Sequence, residues 1–108
     1  MDNANFQCEN DPTHKTFIYA RTGKQFVEAH HLIPMEYQGD FAVSIDVPEN
    51  IISLCTNCHR AFHNSEASIQ EGLIAKFFSL RSSSLEERGI YISLDKLLEY
   101  YKTTPNNV

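Results

Sequence analysis

A Cys-x-x-Cys pair running straight into two histidines one helical turn apart constrains this chain more than any other feature. The stretch reads Cys55-Thr56-Asn57-Cys58-His59-Arg60-Ala61-Phe62-His63. Thiolates at that spacing can face one metal ion, and histidines at i and i+4 share one face of a helix. Upstream lie Ala29-His30-His31-Leu32-Ile33-Pro34 and then Asn50. Every histidine but His14 and every cysteine but Cys8 falls between residues 30 and 63. With 108 residues there is room for one modest core and one domain.

Three cysteines are an odd number and cannot close a disulfide framework. A Cys-x-x-Cys in that setting reads as metal binding in a reducing compartment. Residues 1–6 are polar, so no signal peptide is expected. The longest apolar runs are far too short to cross a membrane. The expectation is a soluble, cytoplasmic chain with no membrane partner.

Along the chain, residues 1–7 read as a short lead-in, and Asn10-Asp11-Pro12 signals a turn. Residues 16–19 form a β-prone run, Arg21-Thr22-Gly23-Lys24 a turn, and residues 25–32 a returning strand that Pro34 ends, which predicts a hairpin. Residues 35–47 read as a long loop with a weak strand at 41–45. Pro48-Glu49-Asn50 turns into the apolar run Ile51-Ile52-Ser53-Leu54, and a helix starts at Thr56 or Asn57. Beyond Asn64, apolar residues from Ile69 to Leu80 recur at helical spacing and predict an amphipathic helix over 69–81. After Ser82-Ser83-Ser84, residues 85–88 continue helical until Gly89, Tyr91-Ile92 is extended, and Ser93 caps a last helix over 94–101. Residues 103–108 read as a frayed tail. The expected organisation is a core over residues 1–66 and a helical extension over 67–108. These make one domain overall, whose abrupt start fits a segment of a longer protein.

The order His30-His31, then Asn50, then Cys55-x-x-Cys58-His59 resembles the HNH endonuclease family over roughly residues 8–63. The resemblance implies an α+β fold: a ββα-metal finger, treble-clef-like, carrying the helical extension. It implies metal-dependent hydrolysis of DNA phosphodiester bonds, most commonly in restriction or other genome defence. Such hydrolysis needs an activated water, relief of transition-state charge and stabilisation of the leaving oxygen. One divalent ion can meet the last two needs and a neutral histidine the first. Carried over by position, His31 is the general base and Asn50 braces the loop that orients it. His30, His59 and His63 are the ligands of the catalytic ion, which would be Mg²⁺, Mn²⁺, Ni²⁺ or Zn²⁺. Neighbours on a regular strand point to opposite faces, so His30 and His31 address a phosphate from different sides, near where Pro34 ends or bends the strand. Glu28 shares the face of His30 and is a candidate partner for an imidazole N–H, weighed against an ordinary solvated residue.

A structural Zn²⁺ takes four ligands in tetrahedral geometry. Cys55 and Cys58 supply half of them and Cys8 a third. Many HNH proteins carry a Cys-x-x-Cys where this chain has Cys8 and then Asp11. His14 is the preferred fourth ligand, because imidazole suits such zinc better than a lone carboxylate. Asp11, or no fourth protein ligand, are the alternatives. The bland reading makes Cys8 a free buried thiol with no zinc bound.

Charge stands against a nucleic-acid partner. Nine Lys and Arg face fourteen Asp and Glu, a net −5, whereas nucleic-acid binders usually carry a basic footprint. Bound metal adds positive charge where phosphate would sit. Six of the acids, Glu66, Glu71, Glu86, Glu87, Asp95 and Glu99, lie outside the motif core, while Lys15, Arg21, Lys24 and Arg60 lie in it. Arg60 is a candidate phosphate contact, with a solvated helix charge as its competitor. DNA is the expected partner, with a further domain or protein supplying most of the binding. The rival functional reading is a catalytically inactive, zinc-stabilised module that binds nucleic acid or protein. A classical Cys-Cys-His-His finger is disfavoured, because it needs about twelve residues between its pairs and Cys58-His59 has none.

Overall fold

The computed structural model describes residues 6–103, so most of the expected lead-in and tail lie outside the described residues. Strands β1 (Ile18–Tyr19), β2 (Lys24–Gln25), β3 (Glu28–His31) and β4 (Ile51–Leu54) precede helices α1 (Thr56–Asn64), α2 (Ala67–Glu87) and α3 (Leu94–Thr103). Short 3-10 segments at Met35–Asp40 and Pro48–Asn50 lie in the long β3–β4 connection. β1 pairs with β2, and β3 pairs antiparallel with β4, placing Glu28 opposite Leu54, Ala29 opposite Ser53, His30 opposite Ile52 and His31 opposite Ile51. β4 enters α1 directly through Cys55, so β3, β4 and α1 form the ββα unit of an α+β fold.

Three sequence expectations change. The run over 25–32 is not one strand. Phe26 still donates to the Phe17 carbonyl at 2.9 Å and stacks on the Phe17 ring at 4.9 Å, but Val27 is buried, and beyond it the chain leaves β1 to pair with β4. The sheet that carries the histidine pair is therefore β3–β4, and the early hairpin is a separate feature. The weak strand at 41–45 does not form. Gln38 takes its backbone partners instead, donating to the Val43 carbonyl and accepting from the Ile45 N–H, each at 2.8 Å.

The third change is in the extension. α2 runs unbroken through Ser82-Ser83-Ser84. Serine costs a helix only a fraction of a kcal/mol per residue, and Ile74, Phe77 and Leu85 bury on the same core. Gly89, at φ 84°, ends the helix. Its N–H reaches the Glu86 carbonyl while that of Ile90 reaches Leu85, both at 2.9 Å. This is the Schellman arrangement, completed by the buried Leu85 and Ile90 side chains. Tyr91-Ile92 joins no strand. Ser93 Oγ then accepts from the Lys96 N–H at 3.1 Å at the start of α3.

One hydrophobic cluster spans both parts of the chain. Cys8, Leu32, Ile52, Leu54 and Phe62 of the motif region meet Ile74, Phe77, Leu85, Leu97, Tyr100 and Tyr101 of the extension. The Phe77 and Tyr100 rings are thus core residues, not exposed stacking surfaces. No helix among the described residues is long and apolar enough to cross a membrane.

Candidate functional site

Two donor clusters form around the ββα unit. In the first, Cys8, His14, Cys55 and Cys58 bring one ligand atom each to within 4.8 Å of one another. His14 Nδ1 lies 3.3 Å from Cys58 Sγ and 3.6 Å from Cys55 Sγ. Tetrahedral arms of about 2.3 Å make edges of roughly 3.7 Å, so this donor set fits zinc. Asp11 points elsewhere. One carboxylate oxygen closes a turn on the Thr13 N–H at 2.9 Å, and the other lies 3.4 Å from the far ring nitrogen of His14, bracing it.

The knuckle itself comes from the start of α1. Cys55 occupies the cap position and its sulfur accepts from the Cys58 N–H at 3.4 Å. Burial would raise the Cys8 thiol, but backbone N–H donors, that of Cys55 foremost, outweigh it and bring the thiol down to about 7. Burial pushes Cys58 the other way, up to about 12. Three buried sulfurs without a cation cannot all ionise, and metal uptake here would release protons.

The second cluster joins β3 to α1. His30, His59 and His63 also bring ligand atoms within 4.8 Å of one another, with ring centroids 5.1 to 5.4 Å apart. His59 and His63 stand one turn apart on α1, and His30 faces them because alternate residues of β3 share a face. Glu28, on that same face, reaches His59 Nδ1 at 2.9 Å. Its partner is therefore the helix histidine and not His30. Burial first, then neighbouring His59, His63 and His31, holds the His30 imidazole well below the ordinary histidine range. Burial beside His59 and Arg60 lowers His63 in the same sense. Neutral imidazoles are what a cation requires.

His31 ends β3 on the opposite face, partly exposed, and its Nε2 lies 2.9 Å from Asp46 Oδ1. Asn50 is fully buried behind it. Its Oδ1 accepts from the Ile33 N–H at 2.8 Å, and its Nδ2 donates to the carbonyls of Ile33 at 3.1 Å and Ile45 at 2.9 Å. One side chain thus ties the end of β3 to the loop that carries Asp46. Asn50→Ala would leave three buried backbone groups without partners, at about 1–3 kcal/mol each. The expected loss of stability is about 3 kcal/mol or more, read by urea unfolding; a loss below about 1 kcal/mol would show that water or backbone replaces the amide.

Two contributors escaped sequence reasoning. Asp46 had no local signal, and Tyr101 reads as core from its helical spacing, yet its hydroxyl lies 2.8 Å from His30 Nε2. Arg60 is exposed on α1 with no ion pair among the described residues. Arg81, Arg88 and Lys96 in the extension are paired to Glu9, Glu49 and Glu99.

Comparison with known proteins agrees with this geometry. A family model described as HNH endonuclease matches residues 9–70, more than half of the chain. The chain is also 37% identical over 59 residues to the type IV methyl-directed restriction enzyme EcoKMcrA of Escherichia coli (strain K12). That stretch covers 55% of this chain and 19% of the enzyme, so the chain matches about a fifth of its relative's length.

Proposed function

The chain belongs to the HNH endonuclease family, and on that premise we propose that it hydrolyses DNA phosphodiester bonds with a divalent metal, in restriction or a related defence role. The observation that carries this reading is a three-histidine cluster on β3 and α1 with His31 as the very next residue of β3. His30, His59 and His63 would hold a divalent cation, which supplies charge relief at the phosphate and the leaving oxygen. Cys8, His14, Cys55 and Cys58 would hold a structural zinc. His31 takes the proton of the attacking water. Asp46 accepts from its Nε2–H and leaves Nδ1 open as the acceptor, the arrangement by which a carboxylate orients a catalytic imidazole. Asn50 keeps the peptide beyond His31 in place.

DNA as substrate rests on the family and on the relative's name as a restriction enzyme. Net charge remains unfavourable at −5. Among the described residues, Lys15, Arg21, Lys24, Arg60 and Lys102 have no carboxylate partner, and the first three flank or lie on the β1–β2 hairpin. A further domain or partner protein would supply the rest of the affinity.

Plasmid nicking in Mg²⁺, Mn²⁺, Co²⁺ and Ni²⁺, with chelator controls, tests the reading. Cleavage with at least one ion, abolished by chelation, is expected. A folded, zinc-loaded protein that cleaves with none of them would favour the inactive binding module. Glu28→Ala should weaken the catalytic cation by roughly 10- to 100-fold, the usual cost of removing a carboxylate behind a ligating histidine. Calorimetric titration reads this directly, and unchanged affinity would remove Glu28 from the site.

A further inference from the structure

Tyr101 lies near the end of α3, beyond the residues that match the family, yet it meets the most buried of the three histidines. Its hydroxyl oxygen is 2.7 Å from the Leu32 carbonyl oxygen and 2.8 Å from His30 Nε2. A carbonyl can only accept, so the single phenolic proton must lie toward Leu32; otherwise two oxygens would face each other at 2.7 Å with no hydrogen between them. The phenol then has only lone pairs to offer His30. Nε2 must therefore carry the hydrogen of the neutral ring, and Nδ1 keeps the free pair.

We propose that Tyr101 is a positioning residue for the three-histidine site: its hydroxyl, aimed by the Leu32 carbonyl, fixes His30 as the Nε2–H tautomer and presents Nδ1 to a divalent cation. The inference rests on reading His30 as a ligand. It gives the site a consistent logic. Glu28 holds the hydrogen of His59 on Nδ1 and frees Nε2, whereas Tyr101 does the reverse at His30. One ligand is set from β3 and the other from α3, so the helical extension is a working part of the site as well as a cover for the core.

The test uses the full chain carrying its structural zinc. Nitrogen-15 NMR of the protein without added metal should place the His30 ring hydrogen on Nε2. Tyr101→Phe keeps the ring and removes the hydroxyl. It should release the tautomer and lower Co²⁺ affinity at the three histidines by roughly 10- to 100-fold, with zinc content unchanged. An Nδ1–H tautomer in the parent would overturn the inference without any variant. So would a Tyr101→Phe protein that binds Co²⁺ as tightly as the parent. A parent that takes up no Co²⁺ at these histidines would instead overturn the ligand reading beneath it.

Discussion

Cys55→Ala is expected to abolish the cooperative thermal transition or leave the protein insoluble. The residue is 4% exposed and performs two tasks, as one donor of the Cys8–His14–Cys55–Cys58 cluster and as the acceptor that caps α1. Structural zinc contributes about 10–16 kcal/mol of binding free energy in small peptides, and where no preformed site exists in the unfolded chain this is folding free energy. A domain of this size has a net stability of only about 5–15 kcal/mol. Loss of a zinc held there would therefore outweigh what the rest of the core can hold. His59→Ala should behave differently, giving a folded protein with about one zinc, because His59 belongs to the other cluster. A well-folded Cys55→Ala protein with unchanged zinc content would refute the division into two ions.

His31→Ala should lower the cleavage rate by a factor of roughly 10² to 10⁴, the usual size of a general-base contribution. The catalytic cation should still bind, since His31 lies on the opposite face of β3 from His30 and bonds Asp46. His30→Ala should differ in kind, weakening the cation and recovering in part when its concentration is raised. Plasmid cleavage and metal titration on the same preparations separate the two. If His31→Ala loses the cation, the roles of the neighbours are exchanged. If it cleaves at the parent rate, the base is another group.

Much of this chain was legible because metal-donor chemistry is local. Cys55 and Cys58 at two-residue spacing, His59 and His63 at helical spacing, and the Ile51–Leu54 run before them state a strand, a cap and a helix within thirteen residues. Those short-range rules of geometry hold wherever the segment ends up. The family resemblance rested on Cys55, Cys58 and His59 together with His30, His31 and Asn50 upstream, and the α+β class followed from it.

Partnership across space was another matter. Whether residues 25–32 form one strand or two depends on burying Val27 and on where β4 arrives, which no local pattern carries. Gln38 displaced an expected strand by offering its own amide to the backbone. Glu28 shares a face with His30, as alternation requires, but only the packing of α1 on β3 decided that it bonds His59. His30 and Tyr101 stand 71 positions apart, and nothing in the chain between them hints that they meet. A buried tyrosine on an amphipathic helix looks alike whether its hydroxyl points at water, a carbonyl or an imidazole. The sequence by itself determined which donors exist and which lie close along the chain; the tertiary structure alone decided which partner each one meets, because that depends on what packing brings opposite.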